Sequence, residues 1–138
     1  MIEKTNLNDR FMGRKAPAPE EDPDAFEDCG AFGFLRGVKD RALILELRLC
    51  SGNRMAFPYS LLERLSFDPS EGLVCHFMGG VVTLRGRNFT KATTSPISLL
   101  DGILRHRVPW IAEKEELHAA VQSPDLVIVT KIEIIVVT

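Results

Sequence analysis

Cysteine is scarce in this chain of 138 residues, and Cys29, Cys50 and Cys75 form no CxxC pair. Three thiols without such spacing exclude a closed disulfide framework and a zinc knuckle, and they fit a reducing compartment. Long hydrophobic runs are missing as well. No stretch approaches the roughly 18 to 20 apolar residues of a membrane span, and MIEKTNLNDRFMGRK has no apolar segment of a secretory signal. The expectation is a soluble, cytoplasmic chain with no membrane partner. No P-loop, GxGxxG, GxSxG or HExxH motif occurs, and the carboxylates fall mainly near the two ends. Cys75 and His76 are adjacent on an expected strand, so their side chains point to opposite faces and cannot act as a nucleophile and base or hold one metal together. Cys75 is expected in the core, and His76, on the face of Val74 and Met78, as a hydrogen-bonded or partly exposed side chain. Cys29 would be reactive only if His106 or His118 folded over it, and Glu27 and Asp28 would raise its pKa. Neither a catalytic residue nor a metal or cofactor is expected, and the chain reads as a non-enzyme.

What is present is an uneven charge. The overall formal charge is −2. Residues 1–30 carry four basic and eight acidic groups, residues 31–110 eleven and six, and residues 111–138 two and five. A basic middle therefore lies between acidic ends. It is either an anion-binding core, with Glu20–Asp28 as a tethered competitor for the same surface, or ordinary solvated surface.

The first 30 residues hold Pro17, Pro19 and Pro23 and few neighbouring apolar residues, which predicts a flexible acidic arm followed by one domain over 31–138. From Arg41 the hydrophobic period becomes two, that of a half-buried strand. In RALILELRLC the leucines 43, 45, 47 and 49 share a face. Ser51-Gly52-Asn53 is a turn, and RMAFPY returns with Met55 and Phe57 inward. Pro58 bends the chain before LLERLSF, with Leu65 and Phe67 inward. Asp68-Pro69-Ser70-Glu71-Gly72 and Gly79-Gly80 turn the chain around LVCHFM and into VVTLRGR. Five short strands in under 50 residues predict a mainly β (α+β) fold, a strongly bent antiparallel meander closed as an Sm- or SH3-like barrel. SPISLLDGILRHRV predicts one covering helix over about 96–106, capped by Ser95, with Ile97, Leu100, Leu104 and Val108 as its stripe and Leu99 and Ile103 beside it. Val108–Ile111 is extended and anchored by Trp110, and EKEELHAAVQ is a short surface helix. The tail LVIVTKIEIIVVT is strongly β-prone; unpaired it would aggregate, so it pairs within its subunit or with a neighbour.

Parity in VVTLRGR sets Arg85 and Arg87 on one face, about 7 Å apart along a strand, a spacing that suits successive phosphates or carboxylates. Gly86 would admit a ligand to the backbone. Arg48 and Arg64 extend that face if the sheet is arranged as above, and Arg105 and Arg107 join it if the RHR segment converges there. The alternative is that these arginines form surface ion pairs with Glu46, Glu63 and Asp68, and that RHR only caps the helix.

LRGRNF (84–89), late in a five-strand meander, resembles the second signature of Sm-like RNA-binding proteins. The resemblance covers about residues 41–90. It implies a small bent barrel that assembles through edge strands, single-stranded RNA as partner, and Arg85, Gly86 and Asn88 as binding positions. The first Sm signature departs from this sequence: Phe57 stands where a second glycine belongs, and Asp68 leads into Pro69-Ser70-Glu71 where Met-Asn would follow. FPYSLLERLSFDPSEGL, LRGRN and RHRVPWI also resemble small bacterial proteins of no assigned function. The expected function is a non-catalytic, self-associating module with a basic face for an anionic or protein partner. The alternatives are Sm-like binding of RNA or another polyanion, and a small-molecule enzyme.

Overall fold

The computed structural model describes residues 26–37, 41–92, 97–122 and 124–137. Residues 1–25 of the expected acidic arm lie outside these. Residues 26–30, assigned to the arm from composition, lie within the described residues. Strand β1 (Phe26–Asp28) pairs antiparallel with β2 (Gly33–Leu35), and Cys29 is buried between them. The reason is turn chemistry within the acidic run. Gly30 has φ 85° and donates to the Asp28 carboxylate at 2.8 Å, while Cys29 N–H reaches Phe32 O at 2.9 Å.

The alternating leucines build the expected hairpin. β3 (Ile44–Arg48) and β4 (Arg54–Pro58) pair with Leu45 opposite Phe57 and Leu47 opposite Met55, around Gly52 at φ 96°. Only Leu45 and Leu47 of the four leucines are fully buried, because Leu43 precedes the strand and is 84 % exposed and Leu49 follows it half-buried.

The meander then divides. Pro58 has φ −66° and no N–H, and a 3-10 turn over Tyr59–Leu61 redirects the chain. Tyr59 N–H bonds Leu43 O beside β3, whereas Leu61 O accepts from Met78 N–H in the next hairpin, so the turn is fastened to two different sheets. β5 (Leu62–Asp68), β6 (Gly72–Phe77) and β7 (Gly80–Arg87) continue antiparallel, and β9 (Ile128–Val136) adds to β7 to give the order β9-β7-β6-β5. The expected class is correct at the level of a mainly β chain. The single closed barrel is not: β4 and β5 are not neighbours, and the described strands form separate sheets of four, three and two. The C-terminal strand pairs within its own subunit.

The three-stranded sheet is completed by β8 (Trp110–Ala112), which runs parallel to β3 with Leu47 opposite Ile111. An Ile111–Phe32 bridge ties it to β2. Helix α1 is shorter than expected, Leu99–Leu104, and its cap is Ser98, whose hydroxyl accepts from Asp101 N–H at 3.1 Å. Its buried face is Leu99, Gly102 and Ile103, with Leu104 exposed. The expected stripe is therefore rotated, because Val108 lies beyond the helix and packs back against Gly102. A short α2 (Glu116–Ala120) follows β8, with Ala119 buried. Phe57 and Phe77 stack across the two main sheets at 4.8 Å. Leu45, Leu47, Leu73, Leu84, Ile103 and Ile111 are sealed between them, each stabilising the fold by roughly 1.5–3 kcal/mol.

Candidate interaction surfaces

The two faces of the four-stranded sheet follow from its register. Cys75 opposite Val82 and Ile132 opposite Leu84 are buried, so their neighbours point outward. One outward row is Arg64, His76, Val81 and Ile135, and the next is Ser66, Val74, Thr83 and Glu133. Arg85 follows beyond Thr83, exposed, with Glu133 at 3.8 Å. Arg64 stands 3.4 Å from His76 Nδ1. Arg64 and Arg85 thus share an outer face, separated by half-buried Val74, Val81 and Thr83. A groove of about 470 Å³ crosses the corner of this face, lined by Arg64, His76, Met78, Val81 and Val137.

The rest of the RGRN segment is occupied by the fold. Val129 pairs with Gly86 and Lys131 with Arg85, so Thr130 bulges between them, and a Cβ on Gly86 would collide with the Ile128 carbonyl. The lack of a side chain admits the neighbouring strand here. Arg87 reaches the carbonyls of Ala119 (3.3 Å) and Gln122 (3.4 Å) at the C-terminal end of α2. Asn88 has φ 65°, and its Nδ2 donates to Pro124 O (2.8 Å) and Leu126 O (2.7 Å). Arg87 and Asn88 together pin the end of β7 to the α2–β9 connection.

Arg48 belongs to the other sheet. It bonds Glu46 at 2.8 Å and lies 4.5 Å over the Trp110 ring. Arg107 donates through Nε and Nη2 to Leu35 O (3.1 and 2.6 Å) and covers the Phe34 ring. His106, at φ 57°, stacks on Tyr59, whose hydroxyl donates to Val108 O at 2.7 Å. Leu35 N–H bonds Arg107 O, and Ala42 N–H bonds His106 O. The RHR segment therefore lies against Leu35 and Ala42, while the RGR segment meets α2 and β9. Arg105 is exposed at the end of α1.

Sequence reading missed the outer edge of β9. Ile132 N–H donates away from β7 to Glu113 Oε2 at 2.9 Å, and Val137 N–H turns back to Gly79 O. By alternation the N–H and C=O groups of Ile134 and Val136 face away from β7, and among the described residues they have no partner. Ile135, Val136 and Val137 are 63, 60 and 54 % exposed. Beside this edge a groove of about 410 Å³ is lined by Leu49, Asn53, Arg54, Met55, Ile132 and Ile134. The β-propensity of the tail was the available signal, but which of its edges stays open depends on β7 and Glu113.

The thiols are placed by burial. Cys75 is in the core and burial pushes its pKa up to about 12. Cys29 lines a cavity of about 50 Å³ with Gln122 and Val127. Cys50 is exposed, yet desolvation and then the Glu113 carboxylate hold its thiol above the ordinary value. Among the described residues no three His, Cys, Asp or Glu side chains gather as metal ligands, and no helix is long and apolar enough to cross a membrane. Comparison with protein-family models, curated proteins and solved structures gave no match.

Proposed function

We propose that the chain is a non-catalytic binding module that self-associates by pairing the C-terminal half of β9 with the same strand of a second copy. The observation that carries this reading is the outward backbone of Ile134 and Val136 beside exposed Ile135 and Val137. A two-fold pairing centred on Ile135 sets Ile134 against the partner copy's Val136 and keeps Glu133 away from its own symmetry mate. It also leads apolar side chains over the groove at Met55. Val136→Pro removes an outward N–H and leaves the β7 ladder donors in place. Sedimentation velocity at tens of micromolar should show a dimer for the unmodified chain and a monomer for Val136→Pro. A strict monomer for the unmodified chain ends this reading.

A second reading, single-stranded RNA on the outer face, is supported by Arg64 and Arg85 flanking a half-apolar platform with His76. Arg64→Ala with Arg85→Ala should weaken oligonucleotide binding and reduce the magnitude of its salt slope by about 2. No binding of the unmodified chain at low salt removes it.

A further inference from the structure

An extra residue is inserted at the start of β5. Leu62 pairs with Phe77 and Arg64 with His76, so Glu63 has no opposite number on β6 and forms a β-bulge. In a regular strand residues 63 and 64 would face opposite sides of the sheet, but across the bulge Glu63 and Arg64 both line the outer-face groove of about 470 Å³. The groove is fastened on both sides of the β6–β7 turn. Met78 N–H donates to Leu61 O at 2.7 Å, and Val137 N–H donates to Gly79 O at 2.8 Å. Met78, Val81 and Val137 supply an apolar lining, and Glu63, Arg64 and His76 supply charge and hydrogen bonds.

The two opposite charges do not neutralise each other. Among the described residues the Glu63 carboxylate has no ion pair or hydrogen bond, and the Arg64 guanidinium has only His76 Nδ1, at 3.4 Å. When Nδ1 accepts from Arg64, the Nε2–H of His76 is left as a second donor. We propose that this groove is a site for a free apolar α-amino acid, with its carboxylate on Arg64 and His76, its ammonium on Glu63, and its side chain against Met78, Val81 and Val137. A zwitterion with an apolar side chain matches all three parts at once, whereas a simple anion would be opposed by Glu63 and a simple cation by Arg64. The volume lies within the roughly 300–1,000 Å³ of small-molecule sites. The site shares Arg64 and His76 with the RNA reading but differs in ligand class, and it needs neither a nucleic acid nor a second copy of the chain.

The test follows amide chemical shifts of the full, unmodified chain while L-leucine is added to tens of millimolar. Saturating changes should centre on Glu63, Arg64, His76 and Met78. Glycine lacks the apolar part, isocaproate the ammonium and isoamylamine the carboxylate, and each should bind about fivefold more weakly or worse. Glu63→Gln should weaken leucine about fivefold and tighten isocaproate, while Arg64→Gln should weaken leucine and tighten isoamylamine. Both side chains are exposed, so each variant should keep the folded amide spectrum. A merely disturbed groove does not produce this crossed pattern. Isocaproate or glycine binding as tightly as leucine overturns the proposal, as does a leucine titration that fails to saturate or whose shift changes centre outside the groove.

Discussion

Glu113 should be the most sensitive single side chain outside the apolar core. It follows β8, and its carboxylate accepts from Cys50 N–H through Oε1 and from Ile132 N–H through Oε2, each at 2.9 Å. One side chain thereby joins the end of β3 to the edge of β9 in the other main sheet. Hydrogen bonds to a charged group contribute about 1.5–3 kcal/mol each when sheltered. Cys50 is exposed, so water replaces part of its bond, and Glu113→Ala should cost about 2–3 kcal/mol in total. For a domain of this size that corresponds to a Tm lowered by about 8–12 °C. Glu113→Gln keeps one acceptor and turns an amide N–H₂ toward the other donor, so it should recover no more than about half. The assay is urea unfolding with a thermal scan, run on the Val136→Pro background at low concentration. A midpoint that falls with unchanged m-value is the expected form. A Tm within about 2 °C of the parent for Glu113→Ala would refute the bridge.

Gly86→Ala should destabilise more than Gly79→Ala, although Gly79 alone of the two has a positive φ. A Cβ on Gly79 meets open space and costs about 1 kcal/mol of backbone strain, whereas on Gly86 it strikes the Ile128 carbonyl and must part β7 from β9. Unfolding midpoints of the two variants decide the order, and a smaller loss for Gly86→Ala would contradict the register. Among the cysteines only Cys50 should react with a disulfide reagent in the folded chain. Because its pKa is raised, its thiolate fraction at pH 8 lies below that of a free thiol, and its rate should still be climbing above pH 9. Stopped-flow counting of thiols checks this; fast labelling of Cys75 without denaturant would mean that its burial is wrong.

The readable part of the fold was local. Alternation in RALILELRLC and the Ser51-Gly52-Asn53 turn were enough for β3 and β4, because a two-residue period and a left-handed glycine are properties of a few neighbouring residues. Gly79-Gly80 served β6 and β7 in the same way. Alternation carries no information about which sheet a strand enters, so the division at Pro58 and the parallel docking of β8 on β3 were not legible. Helix α1 was foreseen in place, but its buried side turned on Gly102 fitting against Val108, a contact made after the helix has ended.

The arginines show the same boundary. Parity aligned Arg85 with Arg87, yet Arg87 is taken by carbonyls of α2 and Arg107 by Leu35, partners 32 and 72 residues away along the chain. By itself the chain's order of residues determined its strands, its turns and the separation of acidic ends from a basic middle, all of which depend on near neighbours. Only the tertiary structure decided which guanidinium groups remain exposed and which edge of β9 stays unpaired. A hydrogen bond and a steric contact act within a few ångströms, and folding alone chooses which distant residues come that close.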